Sequence, residues 1–461
     1  MARRAVSCGR VARRPSVAEP GARTVSFATL GCRLNQVDTQ QIQAALEARG
    51  FRTVAFDEPA DVVVVNTCTV TARAEFSDRQ MIRRAARVSD GAKLVVTGCW
   101  AQTSPDDVTA MAEVDLVVGN GDKHRLPDLL DQVVADRVHV TDIAHARPLD
   151  ATPIVRISGR SRAFLKVQDG CQHRCAFCIV PLARGASRSL DPKRVLDQAQ
   201  RLVEAGHPEL VLTGIDLGHY GADLLPRTSL AALLRRLAEI PGLRWIRLSS
   251  LLPAYFTPEL VEVVTATPAI APHFHIPLQS GSDRVLRRMR RPYDTRMYRT
   301  LVERLAAARQ RLGLGADVIA GFPGETDPDF AETIALVRDL PFSYLHVFPY
   351  SARRGTEAAR LGGQVDARLI TRRSRALREL GRAKNAEFRR GLVGVKEDVL
   401  VLETRERGTG WLVGLTGNYV EVAFPGPAAL VREIVRVHLT AAMSDRTVGE
   451  LMPTSPEAIR S

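Results

Sequence analysis

No apolar run in this 461-residue chain reaches the 18 or more residues that a membrane span requires. The longest, such as DVVVVNTC, are short and β-branched and predict buried strands. Cysteine is scarce. Seven cysteines in a chain this long, without a secretory signal, exclude a disulfide-stapled secreted domain. No fixed-period repeat is present, which excludes solenoids and propellers. Acid is also in deficit: 51 Asp and Glu face 64 Lys and Arg, for a net charge of +13 and a pI near 9.9. That balance favours a polyanionic partner, nucleic acid first, against the alternative that Arg merely occupies solvated surface sites. The 45% hydrophobic and 25% charged content are those of a soluble globular protein, so a cytoplasmic location without a membrane partner is expected. MARRAVSCGRVARRP, at the start, is Arg-rich and nearly free of acid. Residues 1–23 are read as a disordered extension, a transit peptide or an early start codon being the alternatives, and are left out of the fold.

Two α/β rhythms and one all-β rhythm follow. Between 24 and 140, the runs TVSFATLGC, ADVVVVNTC, AKLVVTGC and VDLVVGNGD alternate with helical periodicity, predicting a doubly wound parallel sheet. Residues 141–160 lose the rhythm and read as a linker. From 161 to 390, strands at RAFLKVQDG, ELVLTGID, WIRLSSL, HFHIPLQS, ADVIAGFPGE and YLHVFPYS predict a partial β/α barrel with a basic helical tail. Residues 391–455 carry alternating strands such as EDVLVLET and EIVRVHLTAAM, which predict a small five-stranded β-barrel. The fold class is α/β with this appended barrel.

The scarce cysteines are grouped. DGCQHRCAFC places Cys171, Cys175 and Cys178 at C-x3-C-x2-C. A structural zinc site needs four ligands from paired knuckles, and a thioredoxin-type pair would not carry Cys171. Three soft thiolates instead fit a 4Fe-4S cluster that holds three irons and leaves the fourth open. S-adenosylmethionine (SAM) chelates such an open iron through its methionine amine and carboxylate. Cys32, Cys68 and Cys99 are far apart in sequence, yet each follows a predicted parallel strand: ATLGC, VVNTC and VVTGC. Strand ends of one open sheet share an edge, so the three sulfurs converge there as a second, auxiliary cluster with an open iron. Two such centres imply a reaction in which both take part.

The barrel segment resembles the radical SAM superfamily. On that resemblance Phe177 packs near the cofactor, Gly214 and Asp216 of LTGID meet the SAM amine, and Gly321, Gly324 and Glu325 lie along the adenine. Ser249, Ser250, Gln279 and Ser280, at strand ends, are expected to face cofactor or substrate, and His275 less so. TLGCRLNQVDTQ, NTCTVT, TGCWAQ and DGCQHRCAFCIVPLARG, in this order, resemble the methylthiotransferases over about residues 24–453, including their C-terminal TRAM-type barrel. GCRLN, NTCTVT, RLSSLLP and HVFPYSARRGT resemble the branch that acts on the threonylcarbamoylated adenosine of tRNA. Other branches act on the isopentenylated adenosine or on an aspartate of a ribosomal protein.

The resemblance implies two 4Fe-4S clusters and SAM, a radical that takes hydrogen from C2 of the modified adenine, and transfer of a methylthio group from the auxiliary site. It also implies an electron donor such as flavodoxin or ferredoxin and a sulfur source. The alternative outside enzymology is an iron–sulfur RNA-binding or sensor protein. For RNA phosphates the basic run with Arg287, Arg288, Arg290 and Arg291 and the segment 372–390 are the expected surfaces. Trp411 and Tyr419 are candidate base-stacking residues.

Overall fold

The computed structural model describes residues 22–131, 136–146, 149 and 159–453; the expected extension and most of the expected linker lie outside them. Strand β1 (Thr24–Thr29) begins a fully parallel sheet with β2 (Arg52–Thr53), β3 (Val62–Thr67), β4 (Lys93–Gly98), β5 (Leu116–Val118) and β6 (Val138–His139), in the order β2-β1-β3-β4-β5-β6. β2 and β6, at two residues each, form the edges and are too short to show as hydrophobic runs. Every residue of β3 is buried, as its run of four valines requires of a strand covered on both faces. Helices α1 (Arg33–Glu47), α2 (Ala72–Val88) and α3 (Cys99–Thr103) start at the carboxyl ends of β1, β3 and β4. Those three strands are immediate neighbours. The chain leaves β1 toward β2 on one side and returns to β3 on the other, so the crevice between β1 and β3 is a topological switch point.

Six parallel strands form the second unit in two triads. One is β11-β10-β7: β7 (Arg162–Lys166), β10 (Glu209–Thr213) and β11 (Trp245–Leu248). The other is β12 (His273–His275), β13 (Gly313–Ala320) and β14 (Tyr344–Pro349). A single bridge, Ile246 to Ile270, links the triads. The result is a partial barrel, open between its edge strands β7 and β14. A short antiparallel pair, β8 (Gln168–Asp169) and β9 (Arg188–Ser189), brackets the loop that carries Cys171, Cys175 and Cys178. The outward faces bury the largest core of the molecule, with Leu165, Leu210, Ile246, Phe274 and Leu314 among its members. The long helix Ala367–Arg390 packs on β14.

The last unit is a closed antiparallel barrel with one parallel pair: β15 (Lys396–Arg405), β16 (Leu412–Thr416), β17 (Glu421–Phe424), β18 (Ile434–Ala442) and β19 (Thr447–Leu451). Its hairpin 417–419 is pressed against the base of the partial barrel. A Cβ on Gly313 would lie 2.1 Å from the carbonyl oxygen of Asn418, so only glycine permits this approach. Arg247, fully buried, donates to the carbonyls of Gly417 at 2.8 Å and Thr416 at 3.3 Å while pairing with Glu209. Among the described residues no helix is long and apolar enough to cross a membrane. Gly313→Ala is expected to destabilise the seating of the C-terminal barrel by about 1–3 kcal/mol. Limited proteolysis tests this: faster release of the region after residue 390 is expected, and an unchanged rate would contradict the contact.

Candidate active site

The first three cysteines converge as the topology requires. Thr29 pairs with Asn66 and Thr67 with Gly98, which brings the ends of β1, β3 and β4 level. Gly31, at φ +94°, lets the loop of Cys32 fold onto Cys68: a Cβ there would sit 2.7 Å from Cys68 Cβ and 3.0 Å from its sulfur. Asn35 fixes two of the cysteine loops at once, donating to the carbonyls of Leu30 at 2.8 Å and Thr67 at 2.9 Å. Asn120 approaches Cys99 Sγ at 3.6 Å and donates to the Ala183 carbonyl at 2.7 Å. Cys68 and Cys99 are buried and Cys32 is exposed. Burial, then the neighbouring Cys99, pushes the Cys68 thiol up to about 12.

In the second trio the loop is held by Cys171 N–H to the Gly185 carbonyl at 2.9 Å and Cys178 N–H to the Cys175 carbonyl at 3.0 Å. Burial, then Asp216, pushes Cys171 up to about 12, and burial pushes Cys178 up to about 11. Gathered, dehydrated thiols of this kind become thiolate ligands when a cationic metal centre offsets the cost of their charge. The donor geometry suits a cluster better than one ion. Among the described residues the only His, Cys, Asp or Glu donors all within 4.8 Å of one another are His275, Asp317 and His346. Neither cysteine trio closes to that single-ion spacing, and none of the six forms a disulfide. Six sulfurs in two open groups of three therefore fit two 4Fe-4S clusters.

A cavity of about 190 Å³ adjoins Cys178 of the second trio and the loop that follows Cys68 of the first. Cys178, Phe177, Gln279, Ile319 and Phe348 line it from the barrel, and Val70 and Thr71, just after Cys68, line it from the first unit. Gln279, at φ +66°, points in a buried Oε1 that has no hydrogen-bond partner. Phe177 meets Phe322 edge to face, with centroids 6.4 Å apart. Asp216 sits at Cys171, its Oδ2 3.8 Å from the sulfur, and accepts from Tyr255 at 3.0 Å. Gly214 lies against Gln168, whose Oε1 also accepts from Asp216 N–H. Ser249 presents a buried, unpartnered Oγ, and Ser250 is exposed at the same strand end.

Other expected residues do different work. Ser280 turns away: its hydroxyl meets Thr333 Oγ1 at 3.3 Å and accepts from Ser282 N–H, so it caps a strand end. Glu325 is buried, accepting from Gly321 N–H at 2.8 Å and from Arg373 at 2.7 Å, and so braces the 321–325 turn from behind. Gly321 and Gly324 of that turn pack on Ile370 and Arg288. In the basic run Arg287 is exposed, while the other three arginines have partners within the protein. Arg288 donates to the carbonyls of Pro323 and Gly362, Arg290 pairs with Glu357 at 2.7 Å, and half-buried Arg291 lies against Cys175 Sγ at 3.2 Å. Tyr419 stacks on His273 at 4.3 Å, so its ring is not free for a base. Trp411 is half-buried.

Sequence reading missed the groups that join the two sites, because their partners are remote in the chain. Arg184 ends the helix Val180–Arg184 that follows Cys178, and it is 1% exposed. It donates to both Asp169 oxygens at 3.0 Å, to Asp38 at 3.0 Å and to Asn35 Oδ1 at 2.5 Å. Lys166 adds a bond to Asp38 at 2.6 Å, and Lys123 pairs with Asp38 as well. Although burial opposes it, the surrounding cations hold the Asp38 carboxyl well below its ordinary value and lower that of Asp169. Across the cavity, Arg353 donates to Thr69 at 3.0 Å and pairs with Glu75.

Comparison with known proteins follows these boundaries. Residues 24–119 match the model described as Uncharacterized protein family UPF0004, and residues 165–337 match the Radical SAM superfamily. The chain is 40% identical to the Bacillus subtilis protein named threonylcarbamoyladenosine tRNA methylthiotransferase MtaB, over 91% of this chain and 94% of that one. It is 39% identical to the Aquifex aeolicus protein of the same name, over 90% and 99%. A Mycobacterium marinum protein named tRNA-2-methylthio-N(6)-dimethylallyladenosine synthase 2 is 39% identical over 83% of this chain and 74% of its own length. Among solved structures, the radical S-adenosylmethionine methyltransferase TsrM from Kitasatospora setae shares the fold at a TM-score of 0.52 and 16% identity, covering 71% of this chain and 75% of that one.

Removing Arg184 leaves Asp38 and Asp169 with buried, under-compensated charge. Arg184→Met is expected to cost about 3–5 kcal/mol and to loosen the first unit from the barrel. Because both carboxyls are held down in the fold, their contribution is present above about pH 4 and fades as pH falls through the lowered folded values. Chemical denaturation at pH 7 and pH 3 checks this. The variant's deficit should be largest at pH 7 and shrink at pH 3; an equal deficit at both would contradict the charge account.

Proposed function

The chain belongs to the radical SAM tRNA methylthiotransferases, and from that premise we propose that it methylthiolates C2 of the N6-threonylcarbamoyladenosine beside the anticodon of tRNA. The observation that carries the proposal is the presence of two cysteine trios, with Cys178 of one and the loop after Cys68 of the other bordering one cavity; a radical generator alone needs only one open trio. Residues 24–140 are assigned to the sulfur-carrying domain, 161–390 to the radical SAM domain with its basic tail, and 391–455 to a TRAM-type barrel, joined by the linker 141–160.

Cys171, Cys175 and Cys178 would hold the SAM-binding cluster, and Cys32, Cys68 and Cys99 the auxiliary one. When bound, these groups supply a carbon radical strong enough to take an unactivated aromatic hydrogen, and a methylated sulfur to replace it. The protein's own residues position and shield. Phe177, Ile319 and Phe348 keep the cavity apolar and short of water. Gln279 offers its unpartnered oxygen to a donor on cofactor or base. Arg291 places a guanidinium on Cys175, favouring the more negative, reduced state of that centre. Arg184 and its acidic partners fix the distance between the two trios.

RNA is held by charge. On the helix Ala367–Arg390, Arg368, Arg372, Arg375, Arg378 and Arg382 are exposed beside the barrel, at spacings that form a phosphate-binding stripe. The preference for the threonylcarbamoyl substrate over the dimethylallyl one rests on the GCRLN and NTCTVT segments and on near-full coverage of the relatives named for it. A flavodoxin- or ferredoxin-like electron donor and a sulfur source are the expected partners, in the cytoplasm. Anaerobic reaction with SAM, reductant and threonylcarbamoylated tRNA, followed by nucleoside mass spectrometry, tests the reading. Wild type should form the 2-methylthio nucleoside, and Cys175→Ala and Cys99→Ala should each abolish it while halving bound iron. Formation only on dimethylallyl-tRNA, or on no RNA, would overturn it.

A further inference from the structure

The base of the barrel lumen carries a cationic cluster that the cavity above does not use. Tyr344, His346 and Phe348 alternate along β14 and so share one face. Phe348 lines the cavity with Cys178. His346 is one layer below, opposite Asp317, and Tyr344 is one layer further down, roughly 13 Å from the level of Phe348. Tyr344 leads to Tyr419, whose ring lies 5.9 Å away. Three guanidiniums converge on Tyr419. Arg33 Nη2 donates to its hydroxyl at 3.0 Å, and Arg247 and Arg162 lie over its ring at 5.1 and 5.8 Å. They outweigh burial and hold the phenol below its usual value.

The charges do not balance. Among the described residues Glu209 is the one carboxylate engaged there, pairing with Arg247 at 2.7 Å and approaching Arg162 at 3.7 Å. Arg162 Nη1 is buried without a hydrogen-bond partner. Arg33, half-buried, makes no ion pair among the described residues. Asp317, a layer above, is already engaged by His275 at 3.0 Å and His346 at 3.3 Å. Arg33 directly follows Cys32, so its guanidinium lies within one side chain of the auxiliary trio.

We propose that Arg33, backed by Arg162 and oriented by Tyr419, forms an anion subsite that takes the carboxylate of the substrate's threonylcarbamoyl group. The inference rests on the functional reading above and adds which residue recognises the N6 arm. A purine with its C2 edge at the cysteine level directs that arm down the lumen, toward the unbalanced charge. A backbone phosphate of the same RNA is the other source of an anion. The carboxylate is favoured because the Arg33 guanidinium reaches Tyr419 and Phe164 at the barrel base from a residue next to Cys32, whereas the phosphate stripe is on the outer helix.

The test is equilibrium binding of the holoenzyme to two anticodon stem-loops of one sequence, one bearing the threonylcarbamoyl acid and one its methyl ester. Their phosphates are identical. Wild type should bind the acid more tightly, and Arg33→Gln should weaken the acid by about 10- to 100-fold with the ester changed less than about twofold. Arg33→Lys should keep part of the preference. Equal weakening of both RNAs identifies a phosphate contact and overturns the inference, as does an acid preference that survives Arg33→Gln. Should substitution beside Cys32 lower bound iron, Tyr419→Phe, which removes the hydroxyl that Arg33 meets and leaves the ring in place, must reduce the same acid-to-ester ratio or the inference falls. A wild type that shows no acid preference and forms no methylthio nucleoside defeats the functional reading itself, which is a separate outcome.

Discussion

Everything about the site depends on Arg184 being buried among Asp38, Asp169 and Asn35. The two cysteine trios belong to different units of the fold, and nothing in either unit alone sets the distance between them. Arg184 is at the end of the short helix that Cys178 leads into; Asp169 on β8 holds it within the barrel unit, and Asn35 and Asp38 are on α1, which Cys32 caps. One planar guanidinium thus ties the loop of one trio to the helix of the other, with Asn35 passing the constraint on to the Cys68 loop through the Thr67 carbonyl. A hydrophobic contact of the same area would stabilise the interface comparably but would not fix its register, because apolar packing is non-directional.

The same choice, charge held in pairs, recurs between elements of the fold. Arg353 with Glu75 joins the loop after β14 to α2, Arg247 with Glu209 seats the C-terminal barrel, and Arg373 with Glu325 ties the long helix to the 321–325 turn. Each pair reaches across a boundary between secondary-structure units. The excess of arginine in the composition is therefore spent in two ways: inside, as directional ties, and outside, as an exposed stripe on the helix Ala367–Arg390. The cavity beside Cys178 remains largely apolar apart from Gln279, Thr71, Asp317 and Ser351, which suits chemistry that must exclude water.

Much of the fold was legible because its signals are local. Cysteines placed immediately after β-branched runs identify strand ends, and C-x3-C-x2-C states its own donor geometry. The six barrel strands and the valine-rich sheet strands announced themselves as hydrophobic runs, while the two-residue edge strands β2 and β6 carried no such pattern. What a charged side chain touches is not local. Arg287, Arg288, Arg290 and Arg291 read as one basic surface, yet three of the four turn to Pro323 and Gly362, Glu357 and Cys175, partners 35 or more residues away. Glu325 read as a cofactor residue because its position in the turn matched; its actual partner, Arg373, is 48 residues on. Arg184 carried no signal at all beyond its place in a resembling stretch.

The central claim is that two iron–sulfur centres face one substrate space at a distance set by a buried arginine. Electron paramagnetic resonance of the fully reduced wild-type protein measures this most directly. Two clusters held across one cavity should broaden and split each other's signals through magnetic coupling, and Arg184→Met should weaken that coupling without loss of iron. Two sharp, independent signals in the wild type, unchanged by the substitution, would contradict the account.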